Sequence, residues 1–332
     1  MDDALLNTLR SVVANATPLV IASMGETITE RAGVINLSLD GSLALSAMSG
    51  FIVAFVTGDV WVGLGAAMLT GALVALLIAF SSIKLRQDQV AIGFVLTLLC
   101  TDLARFLSQG YTRTAGPKIS RLDLPILSDL PIVGRVLFQQ DIIVYLSYLL
   151  VILTWFWLFR TRGGMVHRAI GERPESAFSR GIQVNRMRYW YTFLGGALIG
   201  LAGATYSLNI KPGLANPPSM SGDGWIALAI VIFGGWHPFR VLLGAYLFTV
   251  LRAVASDIQT NGLVLFGQSI QFNFILLNGL PWTLMIITLL LVSSGSIERL
   301  LRILPRPLQR RMRSFLRSDP PEALGVRFEE KQ

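Results

Sequence analysis

The stretch Gly25-Glu26-Thr27-Ile28-Thr29-Glu30-Arg31-Ala32-Gly33-Val34-Ile35-Asn36-Leu37-Ser38-Leu39-Asp40-Gly41 decides how the rest of the chain is read. It is a polar, charged segment lying between two hydrophobic runs, with Glu26, Glu30 and Arg31 close together and Asp40 just inside the next apolar run. Each ionisable group at the edge or inside of hydrocarbon costs roughly 2.5–3.5 kcal/mol on insertion scales, so such groups face protein or a water-filled path. Two readings follow. One is a tight turn with Asn36 or Ser38 capping the next helix; the other is a functional polar element inside a membrane protein.

Composition supports the membrane setting. Mean hydropathy is +0.59, 53% of residues are hydrophobic and 14% are charged, against about 25% charged in ordinary soluble domains. Apolar runs of about 20 residues recur without the period-two alternation of a transmembrane barrel. The fold class expected is therefore all-α, a polytopic transmembrane helical bundle of about nine spans, within a range of 8–10. The net charge of +8 does not point to nucleic acid, because the basic residues collect between apolar runs and in the tail. Cys100 is the only cysteine, which excludes a disulfide framework or a cysteine zinc site. Met1-Asp2-Asp3 is not the basic start of a secretory signal, so no cleaved leader is expected.

In order, spans are expected at 5–25, 37–57, 61–83, 89–108, 142–160, 189–209, 223–236, 240–257 and 281–297. The first is diluted by Arg10, Asn15 and Pro18 and suits a helix shielded by its neighbours. Asp102 and Arg105 in the fourth are spaced to pair on one face. Gly196 and Gly200 in the sixth form a small-residue packing face. The seventh is too short to cross about 30 Å of hydrocarbon as one straight helix. Residues 258–280 carry polar amides but no charge and are expected as a re-entrant or surface helix. If the loop 160–188 with its seven arginines is inside, alternation puts 20 of the 28 lysines and arginines inside as well. The positive-inside rule then orients the C-terminus to the cytoplasm.

No chemistry of catalysis is apparent. The chain lacks a phosphate loop, an H-E-x-x-H pair and a G-x-S-x-G elbow, and its two histidines, His167 and His237, are far apart. No catalytic residue and no metal site is expected. The loop 160–188 is more informative: residues 164–171 read as a short helix closed by Gly171, and a second short helix begins at Pro174, with Glu175 in its first turn and Gly181 as a stop. A generic positive-inside loop does not need two capped mini-helices, so a partner-docking element is favoured.

These residues carry a family likeness. Glu30 to Gly41 resembles the E-R-(A/S)-G-V-(I/V)-N-(I/L)-G-(I/L)-E-G signature of ABC-transporter permeases for nucleosides and simple sugars, in the branched-chain amino acid and sugar permease superfamily. Ala169-Ile170-Gly171-Glu172-Arg173-Pro174-Glu175-Ser176-Ala177 with Gly181-Ile182 is similar to its coupling segment, and residues 194–204 and 224–234 resemble two further blocks. Ser38 and Asp40 stand where that family usually has Gly and Glu. The resemblance implies a type II ABC importer-like permease domain over 1–297, with a coupling loop at 162–187 and a basic cytoplasmic tail at 298–332. It implies a non-catalytic subunit with no cofactor of its own, ATP and Mg being used by a partner ATPase. It further implies a second permease subunit, an external solute-binding protein and a multi-pass place in a bacterial or archaeal inner membrane, in contact with lipid and not with nucleic acid. Asn36, Ser38, Asp40, Ser42 and Ser46 are expected along the solute path. Gly171, Glu172, Pro174, Glu175, Ser176, Ala177 and Gly181 are expected at the ATPase. The solute expected is a nucleoside or simple sugar. Riboflavin or another ribosyl-type solute remains open, as does an ion-coupled secondary transporter using Asp40 or Asp102.

Overall fold

In the computed structural model, residues 3–123, 133–215, 220–261 and 320–329 are described, with short pieces at 128, 263–265, 268–270, 283 and 286. The expected last span, 281–297, and most of the tail lie outside the described residues. The helices are α1 (Asp3–Arg31), α2 (Leu39–Thr57), α3 (Val60–Ala79), α4 (Gln89–Ser108), α5 (Val133–Leu137), α6 (Ile142–Arg160), α7 (Arg162–Glu172), α8 (Pro174–Phe178), α9 (Val184–Thr205), α10 (Asp223–Phe233) and α11 (Pro238–Asn261). Strands β1 (Arg121–Asp123) and β2 (Gln139–Asp141) pair antiparallel, as do β3 (Leu263–Leu265) and β4 (Gln268–Ile270). π-helical turns extend α3 to Lys84 and α9 to Ile210.

Six helical segments among the described residues are long and apolar enough to cross a membrane: α2, α3 with its π turn, α4 with the short turn that follows it, α6, α9 with its π turn, and α11 to Gln259. The chain is a polytopic helical membrane protein. α1 has 29 residues, about 43 Å at 1.5 Å per residue, but is not apolar enough to count among the six; its length is buried from Ala16 to Glu30. α10 has 11 residues, short as its sequence indicated. In the stretch 258–280, expected as a re-entrant or surface helix, α11 runs on to Asn261 and β3 pairs with β4, while 262, 266–267 and 271–280 lie outside the described residues.

Local chemistry sets the boundaries. Gly58 (φ +74°) closes α2 in the left-handed region, and Asp59 accepts from Trp61 N at 2.8 Å to cap α3. Asp88 caps α4 by accepting from Ala91 N at 2.8 Å. The expected Asp102–Arg105 pair forms at 3.6 Å, on an exposed part of α4.

α9 sits at the centre, against α1, α2 and α3. Its contacts are close because the residues are small. A Cβ on Gly71 would fall on the backbone of Gly196 and Gly200, one on Gly200 would fall on Ala67, and one on Gly25 would meet the Gly195 carbonyl. Lipid tails are as apolar as leucine, so backbone proximity and van der Waals contact hold such helices together. Leu98 and Leu99 of α4, Ile152 and Leu153 of α6 and Leu243 and Leu247 of α11 are exposed on the outer surface. Gly200→Leu should therefore lower stability by about 1–3 kcal/mol or more, the usual range for overpacking. Gly65→Ala, where nothing lies within 4 Å, should be close to neutral. Melting of the detergent-purified variants checks both.

Candidate functional site

The polar stretch between the first two spans has a different shape from a simple turn. α1 continues through Glu26, Glu30 and Arg31, and the chain turns only at Gly33 (φ +88°). It then climbs back beside the helix it has just left: Asn36 N donates to Glu26 Oε1 at 3.2 Å. Irregular backbone at membrane depth is tolerated only where protein supplies its hydrogen bonds. Here Ile35 N donates to Gln89 Oε1 at 2.8 Å, and Leu37 O accepts from Thr97 Oγ1 at 2.7 Å. Ser38 donates to Asn36 Oδ1 from both its N (3.2 Å) and its Oγ (2.7 Å), and its Oγ lies 2.9 Å from Ser42 Oγ.

Asn36, Ser38 and Ser42 are thus one buried hydrogen-bonded column, with Ser46 buried one turn further along α2. Ser38 precedes α2 but makes no side-chain cap to it; its hydroxyl is engaged in the column instead. Asp40 faces elsewhere. Its Oδ1 accepts from Gly222 N at 2.8 Å and Gly224 N at 3.1 Å, where orphan N–H groups and the helix dipole favour a carboxylate. A Cβ on Gly224 would fall on the backbone of Asp40, so α10 begins in direct contact with the start of α2.

Next to this junction Asp223, 3% exposed, is held from two sides. Arg252 donates to both carboxylate oxygens, at 3.1 Å to Oδ2 and also to Oδ1, and Tyr206 Oη donates to Oδ2 at 2.6 Å. The group forms one wall of a pocket of about 460 Å³, whose other side carries Ser11 and Asn15 of α1. Asp40 stands behind that wall, joined to it through the backbone on either side of Asp223. Asn36, Ser38, Ser42 and Ser46 do not line this pocket.

At the other end of α1, α7 and α8 form the two short helices expected in the 162–187 loop. Thr161 caps α7 by accepting from Gly164 N at 3.1 Å, and α7 ends one residue later than expected, at Glu172. Pro174 occupies the first position of α8 and Glu175 its first turn; Gly181 (φ +83°) ends the segment. Gly171, Pro174 and Ala177 point inward, while Glu172, Glu175 and Ser176 are exposed. α7 is seated on α1: His167 Nε2 donates to Ile28 O at 2.8 Å, and a Cβ on Gly171 would fall on the Arg31 carbonyl. Arg31 Nε in turn donates to Trp236 O at 2.7 Å, and Trp236 Nε1 donates to Glu30 Oε2.

The family profile described as "Branched-chain amino acid transport system / permease component" matches residues 8–294. A Haloferax volcanii ABC transporter permease assigned to glucose is 40% identical over 261 residues, covering 77% of this chain and 79% of the relative. A nucleoside ABC transporter permease of Lactococcus lactis is 33% identical, covering 76% and 84%. A guanosine ABC transporter permease of Bacillus subtilis is 34% identical, covering 70% and 76%. No solved structure matches the chain. The chain is an ABC-transporter permease.

In this permease two features escaped sequence reasoning. Arg252 reads simply as a cation within a span, although the rule that an intramembrane charge needs a partner is the signal that leads to Asp223. The second is the segment 320–329. Ala323 N donates to Gly171 O at 2.9 Å, Gly325 N to Gly33 O at 3.1 Å, and buried Arg188 donates to Ala32 O and Val326 O, each at 3.1 Å. Glu322 lies 3.6 Å from Arg173, and the Phe328 and Phe178 rings are 5.7 Å apart. No sequence pattern in the tail announces these contacts, because they are made largely by backbone groups.

His167 gives the permease a pH-dependent stability. The ring is buried between Trp157 and Tyr191, and desolvation, opposed by the bond to Ile28 and reinforced by Arg31 and Arg168, pushes its pKa down to about 3. His237, pushed down to about 4 chiefly by burial, acts in the same direction. Below about 6.5 the unfolded chain binds protons that the folded chain refuses, so stability falls as pH drops from 7. At pH 5 the His167 contribution lost is about 2 kcal/mol. Melting midpoints between pH 7 and 5 should decline, and the decline should be shallower in His167→Gln.

Proposed function

We propose that this chain is the non-catalytic, membrane-spanning permease subunit of an ATP-driven importer that passes a nucleoside or simple sugar delivered by an external binding protein. The observation that carries the reading is the pairing of the 8–294 profile match with relatives whose names specify nucleoside, guanosine or glucose transport. A membrane part of this kind has no engine of its own. ATP and Mg belong to a partner ATPase, and the path is completed by a second permease, identical or paralogous. The setting is a bacterial or archaeal inner membrane, with α7, α8 and the C-terminal tail in the cytoplasm.

α8 is the docking element in this account. Glu172, Glu175 and Ser176 meet the ATPase from its exposed face, while Gly171, Pro174 and Ala177 hold it against the membrane part and Gly181 fixes its exit. Displacement of α8 is transmitted through Gly171 and His167 to the end of α1, and from there through Glu26 to the Asn36–Ser38–Ser42 column and through Glu30 to Trp236. Asp40 couples α2 to α10, so rocking of α1 moves both helices beside the path, as alternating access requires. Asn36, Ser38, Asp40, Ser42 and Ser46 thus shape the path at its buried end.

Reversing one exposed charge tests the docking. In proteoliposomes holding the full complex, Glu175→Arg should reduce uptake at least about tenfold while the ATPase still hydrolyses ATP and the permease still melts as wild type. Wild-type uptake by this variant would remove α8 from the coupling, and uptake that persists without ATP would overturn the importer.

A further inference from the structure

The polarity of α1 has a second destination. Its first half, with Asn7, Arg10, Ser11 and Asn15, lines another pocket, of about 320 Å³, between α1, the β1–β2 pair and the π turn that ends α9. This is at the lower end of the ~300–1,000 Å³ typical of small-molecule sites. Asp141 begins α6, and the opposite end of α6, Arg160, leads into α7; the pocket and the docking helix therefore lie at opposite ends of the same helix.

Two side chains on the pocket wall have buried atoms without hydrogen-bond partners. Asn209 is 4% exposed, and neither its amide nitrogen nor its amide oxygen has a hydrogen-bond partner. Asp141 is 9% exposed, its Oδ1 is unpaired and it makes no side-chain cap to α6. Buried polar atoms are almost always satisfied, and each exception calls for an explanation such as an absent partner. The neighbouring groups are engaged: Arg10 donates to Gln139 O, and Gln140 Nε2 donates to Arg10 O at 3.1 Å and Val136 O at 2.8 Å. The wall is built, and two side chains remain over.

The unmet groups define the ligand. Asn209 offers two donors and an acceptor, and Asp141 Oδ1 an acceptor. An anion has no proton to donate to either acceptor, whereas a hydroxyl both donates and accepts. Lys118 and Arg121 add donors. None of the described lining residues is aromatic, so among them there is no face on which a nucleobase would stack. We propose that it takes the hydroxyl-bearing ring of the solute, a pentose or hexose, with Asn209 and Asp141 as the recognition residues. The identity of the solute rests on the importer reading; the chemistry of the pocket stands on the unpaired atoms.

Binding to the detergent-purified full-length chain tests this, with radiolabelled guanosine and glucose as probes and adenine as the sugar-free control. Wild type should bind at least one sugar-bearing probe saturably and adenine at least about tenfold more weakly. Asn209→Leu should weaken binding at least about tenfold yet melt at the same or a higher temperature, because it removes two buried unpaired groups. Asn209→Ser replaces it if the leucine variant does not fold, and should show the same loss of binding. Absence of saturable binding, adenine binding as tightly as guanosine, or undiminished binding by the Asn209 variant would each overturn the proposal. Uptake by the complete complex separates the two readings. A wild-type complex that imports neither probe while the binding pattern holds would sink the importer and keep the pocket; import at the wild-type rate by Asn209→Leu would sink the pocket and keep the importer.

Discussion

The backbone of residues 32–38 leaves one helix and enters the next outside any helix, with Ala32, Gly33, Val34, Asn36 and Ser38 buried. Every peptide group there needs a protein partner. Ala32, Gly33 and Val34 donate to carbonyls of α1, and Glu26 of α1, Asn36 of the segment itself and Gln89 and Thr97 of α4 serve four more groups. That requirement fixes where α1 ends, where α2 begins and how α4 lies against α2. It also places Asp40 within reach of the start of α10.

The second constraint is distance. Helices in lipid gain nothing from leaving water a second time, so their contacts must be close to be worth anything. Gly25, Gly71, Gly196 and Gly200 allow α9 to touch the backbones of α1 and α3, giving the bundle a closely packed centre. Polar pairs then act where packing alone would leave the choice of partner open. Asp223 is bound by Arg252 from α11 and Tyr206 from the end of α9, which ties the short α10 to helices on both sides. A half-length helix needs such ties, since it lacks the length to hold itself in place.

The membrane class, the positions of the six long apolar helices, the shortness of α10, the glycine face of α9 and the pair of short helices after α6 could all be read from hydropathy, spacing and turn chemistry. These are local properties, written in consecutive residues. What could not be read depends on residues far apart in the chain. Asn36 and Ser38 were legible as polar residues next to a span, but their bonding to Glu26 required knowing that the chain doubles back at Gly33. Asp40 was legible as a carboxylate within a span, but its partners, Gly222 and Gly224, offer only backbone N–H groups, which leave no mark on composition. Asn209 drew no attention at all: a single amide near the end of an apolar run looks like a residue at an interface until its neighbours are seen to leave it unpaired.

The segment 320–329 bears on how α8 is held. Pro174 and Ala177 seat α8 on the membrane part, and the tail bonds to Gly171 at its entrance and lays Phe328 against Phe178 at its end. The same ten residues reach Gly33 at the turn and Arg188 at the start of α9. An element fastened only by its two loops would swivel under load and lose most of an applied displacement. Residues 320–329 add a further attachment, which joins α7 and α8 to the end of α1. In the proposed docking, a push on the exposed face of α8 would reach the Gly33 turn through these contacts, where the Glu26–Asn36 bond and the Trp236 contacts to Glu30 and Arg31 lead on to α2 and to the corner between α10 and α11.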